Sequence, residues 1–125
     1  MAKGYLAHKE RLNELNSFGK GVGKRAGFKC EWCDSSEDLR LWDYKPDEPP
    51  TTDSLALLCG KCRGWADGGK FAANELHAIR NALWSDVPAI AEGAARVLAG
   101  CKESWAREAI EESFIADAVK AEILK

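Results

Sequence analysis

Histidine is nearly missing from this chain, with two in 125 residues. That leaves little from which to build an open hydrolytic metal centre, which draws on imidazole and carboxylate ligands. No apolar run approaches the ~18 residues of a membrane span. The first ten residues hold no apolar core of the kind a secretory leader carries, so the chain reads as soluble and cytoplasmic. There is no global excess of positive charge, since the formal net charge is −2. Internal repeats and low-complexity tracts are absent as well. Length and a hydrophobic fraction of 46% fit one domain with one core.

Cysteine is what the chain does have, and in a pattern. Cys30 and Cys33 form one Cys-x-x-Cys pair, Cys59 and Cys62 a second. A tight turn of this kind aims two sulfurs at one point, and two such turns complete a tetrahedron of thiolates. Zn²⁺ is the usual ion for four soft thiolates. Four thiolates also suit iron, and two disulfides or free core thiols are the remaining alternatives. A reducing compartment favours the metal. Four cysteines close the shell, so the expected single Zn²⁺ is structural and supplies folding energy. Cys101 is left over and reads as a small core residue.

Charge is unevenly spread. Residues 1–29 carry seven basic and two acidic side chains, residues 30–100 seven and twelve, and residues 101–125 four and six. A basic arm on an acidic body can meet a phosphate backbone, or pair with its own chain. If the partner is DNA or RNA, the phosphate-facing set is Lys20, Lys24, Arg25, Lys29, Lys61 and Arg63.

The pattern of apolar residues divides the chain into 1–27, a basic helix and Gly-rich connector; 28–70, the four-cysteine finger; and 71–125, a helical region. Leu6, Leu12 and Leu15 place a helix over Tyr5 to Asn16. Gly19, Gly21 and Gly23 alternate with other residues and weaken any helix there, so 18–25 reads as a hinge or a phosphate-contacting loop. The glycines match neither a Walker A loop nor a dinucleotide fingerprint. Leu39 to Tyr44 alternates like a half-buried strand. Gly60 is expected to allow the knuckle's turn. Leu76, Ile79 and Leu83 predict one helix. Ser85 as N-cap and Pro88 in the first turn predict the next, with Val87, Ile90, Ala91, Ala94, Val97 and Leu98 on its stripe and Gly100 at its end. Lys102 to Leu124 holds one long helix or two short ones, with Trp105, Ala109, Ile110, Phe114, Ala118 and Val119 as the apolar set. Trp84 and Trp105 read as core anchors. Trp32 and Trp65 are either packed or exposed for stacking. His77 reads as a side chain outside the filled cysteine shell.

The run KRAGFKCEWC, then LRLWDYKP, then DSLALLCGKC resembles the treble-clef finger of HNH nucleases. A closer resemblance is to the PhnA-type zinc-ribbon family of small bacterial proteins, through the Trp84-Ser85-Asp86-Val87-Pro88-Ala89 run and the later SWAREAIEESFI. It covers roughly residues 24 to 119. The resemblance implies a small α+β, mostly helical fold, in which a treble-clef or zinc-ribbon finger with a short hairpin packs against about four helices. Larger members carry a second small domain, for which this chain has no room. HNH chemistry needs a general-base histidine in the strand after the first knuckle. Here that place falls at Asp43-Tyr44, and Arg63, Gly64 and Trp65 follow Cys62. Asp43 could in principle hold a metal, but Asp43, Asp47, Glu48 and Asp67 form only a loose acidic set of the kind that is usually solvated, and His8 and His77 lie elsewhere. The leading reading is a non-enzymatic zinc module that binds nucleic acid. The alternatives are a protein-interaction module, or a homodimer, joined through the 87–98 stripe and the C-terminal helix, and an atypical HNH-like nuclease. No membrane or small-molecule partner is evident.

Overall fold

A computed structural model describes residues 18–70 and 73–125. The expected helix over Tyr5 to Asn16 and the position of His8 lie outside the described residues. The fold is small α+β, about half helical, with one two-stranded hairpin. Its elements are α1 (Gly19–Ala26), β1 (Arg40–Asp43), β2 (Leu55–Leu58), α2 (Gly60–Ala66), a 3₁₀ helix (Ala73–Trp84), α3 (Pro88–Ala99), α4 (Ser104–Glu112) and α5 (Asp117–Ile123). Among the described residues no helix is long and apolar enough to cross a membrane.

The strands pair antiparallel, with Arg40 opposite Leu58 and Asp43 opposite Leu55. β1 is exposed at Arg40 and half-buried from Leu41 to Asp43, so the strand forms where expected but its burial does not alternate. All four residues of β2 are buried because alternate residues serve two clusters. Ala56 and Leu58 face the main core. Leu55 and Leu57 face a smaller one with Val22 of α1.

That second cluster explains a departure from the sequence reading. The Gly-rich stretch is a helix rather than a hinge. Each interior glycine costs about 1 kcal/mol relative to alanine, so the helix needs tertiary support. Val22, fully buried against Leu55 and Leu57, provides part of it. The helix ends in a Schellman motif. Gly27 takes a left-handed φ of 66°. Its N–H donates to the Lys24 carbonyl, and the Phe28 N–H donates to that of Gly23.

α3 lies at the centre and touches the 3₁₀ helix, α4, α2, β2 and α5. Pro88 occupies its first turn, and Val87 before it is extended, as a residue preceding proline prefers. Ser85 is not the N-cap; it sits two residues earlier, where its Oγ accepts the Val87 N–H at 3.1 Å. The predicted stripe lies inside the molecule: Ile90, Ala91, Ala94, Val97 and Leu98 are buried and Val87 is half-buried. It packs against the chain's own helices, so this stripe is not a free seam for a partner.

Residues 73–84 form 3₁₀ rather than α-helix. Leu76, Ile79 and Ala82 are all buried, and their spacing of three matches a helix with three residues per turn. Leu83 joins them. The C-terminal region is two short helices. Buried Ser113 donates from Oγ to the Ile110 carbonyl. Lys120 Nζ donates to the carbonyls of Glu111 and Ser113, satisfying the end of α4. This break rotates the apolar pattern. Phe114 is 79% exposed and Ile115 is buried in its place. Ala118 is likewise exposed, while Trp105 and Val119 are half-buried against the core.

Candidate metal centre

The first knuckle is a turn pinned from both sides. The Cys30 N–H donates to the Ser35 carbonyl at 2.7 Å, and the Asp34 N–H donates back to that of Cys30 at 2.9 Å. Asp34 takes the left-handed φ of 67° that closes the turn. The Glu31 N–H donates to the Leu57 carbonyl, fixing the knuckle to β2. The second knuckle grows out of β2. Cys59 is extended and precedes α2, and Cys62 sits in that helix's first turn. Gly60 has no left-handed backbone. Its role is space, because a Cβ there would lie 2.6 Å from Asp38 Oδ2. That carboxylate pairs with Arg63 at 2.8 Å.

The two knuckles bring all four sulfurs together, every Sγ within 4.8 Å of the others. Cys33 and Cys59 stand 3.6 Å apart. A tetrahedral ion with metal–sulfur bonds of about 2.3 Å puts its sulfurs about 3.8 Å apart, which is the spacing of this pair to within about 0.2 Å. Among the described residues this is the one group of three or more His, Cys, Asp or Glu donors within metal-binding reach. Asp43, Asp47, Glu48 and Asp67 are not gathered into a second. Cys30 and Cys62 are fully buried, and Cys33 is half-buried.

Crowding splits the ionisation of the sulfurs. The Cys62 thiol, donating a hydrogen bond to the Cys30 sulfur, holds Cys30 down to about 5. The same hydrogen bond, burial and the neighbouring sulfurs push Cys62 far up. Burial raises Cys33 to about 11. Four thiols this close cannot all ionise without a cation among them, which is the behaviour of a metal cage.

The six basic residues of the sequence reading divide evenly. Lys20, Lys24 and Lys29 are exposed and have no ion pair among the described residues. The other three are bound within the fold. Arg25 grips both oxygens of Glu31 at 2.8 Å and donates to the carbonyls of Thr52 and Leu55. Lys61 pairs with Glu75 at 3.2 Å beside the Trp65 ring. Arg63 holds Asp38 and the Leu58 carbonyl.

Trp32 and Trp65 are buried, which settles them as packing. Trp32 meets Trp42 edge-on, with centroids 5.3 Å apart. His77 is exposed and stacks on Trp105 at 3.8 Å. At the place of an HNH base, Asp43 Oδ1 accepts the Lys45 N–H. The Tyr44 hydroxyl donates to Glu92 and accepts from Arg96. Burial raises the pKa of that hydroxyl.

Sequence reasoning missed Glu31 and Gly93. Glu31 lies between the cysteines of the first knuckle, and nothing in the motif's spacing marks it as an anchor. Gly93 lies on α3, where a Cβ would meet the Trp42 and Trp32 rings at 2.8–2.9 Å. An alanine-rich helix carries no sign of that contact. Compared with models of known families, with curated proteins and with solved structures, the chain matches none.

Proposed function

We propose that this chain is a non-enzymatic module in which Cys30, Cys33, Cys59 and Cys62 hold one structural Zn²⁺, and which binds nucleic acid through its basic N-terminal arm. The convergence of four sulfurs from two knuckles carries the metal assignment. A closed thiolate shell leaves no open position for substrate or water, and its negative charge makes the ion a weak Lewis acid. When bound, the ion would lock the knuckles and so fix the hairpin between them. The order of knuckle, hairpin, knuckle and helix supports a treble-clef type. The Trp84–Ala89 run supports a PhnA-like relationship.

The nucleic-acid reading rests on a narrower surface than the sequence suggests. Residues 18–29 hold Lys20, Lys24, Arg25 and Lys29 and no acid. With Arg25 committed to Glu31, three ammonium groups remain to meet phosphates among the described residues of this stretch. Lys20 and Lys24 are one helical turn apart and share a face of α1. These three contacts contribute about −2 to −3 to the slope of log affinity against log salt. Titrating labelled oligonucleotides at several salt concentrations tests this. The expected result is binding with a slope at least that steep, lost when Lys20, Lys24 and Lys29 are all changed to Glu. No binding at low salt, or binding indifferent to the triple change, would rule the reading out.

A further inference from the structure

Phe28 is the feature that neither the metal centre nor the core explains. It is 64% exposed, yet its backbone sits at φ 57°. That left-handed conformation costs a non-glycine residue about 1–2 kcal/mol and is a genuine outlier for a bulky side chain. Strain of this kind persists only where the surroundings enforce it. Here the Schellman turn after α1 enforces it, through the Phe28 N–H bonded to the Gly23 carbonyl at 2.9 Å. Gly23 then seats the ring: a Cβ at that position would lie 2.9 Å from Phe28 Cε1 and 3.3 Å from Cδ1. One edge of the ring rests on the helix, and most of it faces solvent. Among the described residues it has no aromatic or cationic ring partner. Lys29 follows it directly, and Lys20 and Lys24 lie on the helix that ends just before it.

From this we infer that Phe28 is a stacking platform for an unpaired base, and that the arm prefers single-stranded nucleic acid to duplex. The inference rests on the nucleic-acid reading above and sharpens it to one class of partner. An aromatic ring held out among lysines matches how single strands are bound: phosphates pair with cations while bases stack on side chains. A duplex keeps its bases stacked inside and offers the ring nothing. An apolar protein partner would gain nothing from the flanking ammonium groups.

The test uses the full-length zinc-loaded chain and two fluorescent probes, an oligothymidylate of about 12 nucleotides and a duplex of equal length. Phe28→Gly is the informative variant because glycine accepts φ 57° without strain, so the turn and the fold survive. One lost stack weakens single-strand binding by about fivefold to 150-fold and leaves duplex binding unchanged. Phe28→Trp retains the preference. Weakening of both probes by the triple lysine change, with Phe28→Gly indistinguishable from wild type on the single strand, would overturn the stacking role while leaving the nucleic-acid reading intact. Failure of the wild-type chain to bind either probe would remove both.

Discussion

Replacing Arg25 with alanine removes four hydrogen bonds at once and strands a buried charge. The Glu31 side chain is 5% exposed and that of Arg25 is 26% exposed. Arg25 Nε and one terminal nitrogen meet the two Glu31 oxygens at 2.8 Å, and the guanidinium also reaches Thr52 O at 2.6 Å and Leu55 O at 2.8 Å. With the arginine gone, Glu31 keeps one donor, the Leu57 N–H at 2.9 Å. Breaking one side of a buried pair costs about 3–5 kcal/mol. Because a quarter of the Arg25 side chain touches water, the lower end applies, about 3 kcal/mol. In a chain of this size that lowers Tm by about 10 °C. The assay is thermal unfolding by circular dichroism at fixed excess zinc, so that metal linkage is common to all variants. Lys24→Ala, one residue away and exposed, is the control and should stay within about 0.5 kcal/mol. Arg25→Lys should recover only part of the loss, because an ammonium cannot reproduce the two-pronged grip. Equal behaviour of Arg25→Ala and Lys24→Ala would refute the reasoning and return Arg25 to the solvent-facing set.

Gly93→Ala drives a methyl into the Trp32 and Trp42 rings. It should cost about 1–3 kcal/mol and speed zinc loss to a chelator, since Trp32 lies between Cys30 and Cys33; a Tm at or above wild type would contradict this. Phe114→Ser should be neutral within about 0.5 kcal/mol, whereas Ile115→Ala should cost about 2 kcal/mol; urea unfolding of both variants reads the difference, and the reverse order would show the α4–α5 break to be misplaced. Acidification should release zinc, because protons compete for every ligating sulfur. Between pH 7 and pH 5 the apparent Kd should rise by at least about two decades, as a competing chelator would show, and a pH-independent Kd would exclude thiolate ligation.

What the sequence made legible was local. Two Cys-x-x-Cys spacings announce the cage because the ligands of each pair are three residues apart. Alternation from Leu39 to Tyr44 announces β1, although Leu41, Trp42 and Asp43 are all half-buried. Pro88 marks the start of α3. What stayed hidden depended on distant partners. The helix at Gly19–Ala26 exists through Val22 against Leu55 and Leu57 and through Arg25 against Glu31, none of which the glycine pattern reveals. Local propensity pointed to a hinge, and tertiary contact overrode it. The phosphate-facing set suffered similarly, since sequence cannot show that Arg25, Lys61 and Arg63 have acids waiting within the fold. The Phe114 misplacement has a different cause: Ser113 and Lys120 end α4 through side-chain bonds to carbonyls, and one broken turn shifts every later apolar position.

The central claim is that two knuckles form one closed metal cage, and metal content measured together with thiol reactivity tests it most directly. The chain has five cysteines. The account predicts one zinc per native chain and one thiol outside the cage, Cys101, which is half-buried against the core and reacts without chelation. The other four should react only after chelation, in step with loss of folded structure. A folded chain that carries no zinc and exposes all five thiols, or one in which the four are paired as disulfides, would contradict it.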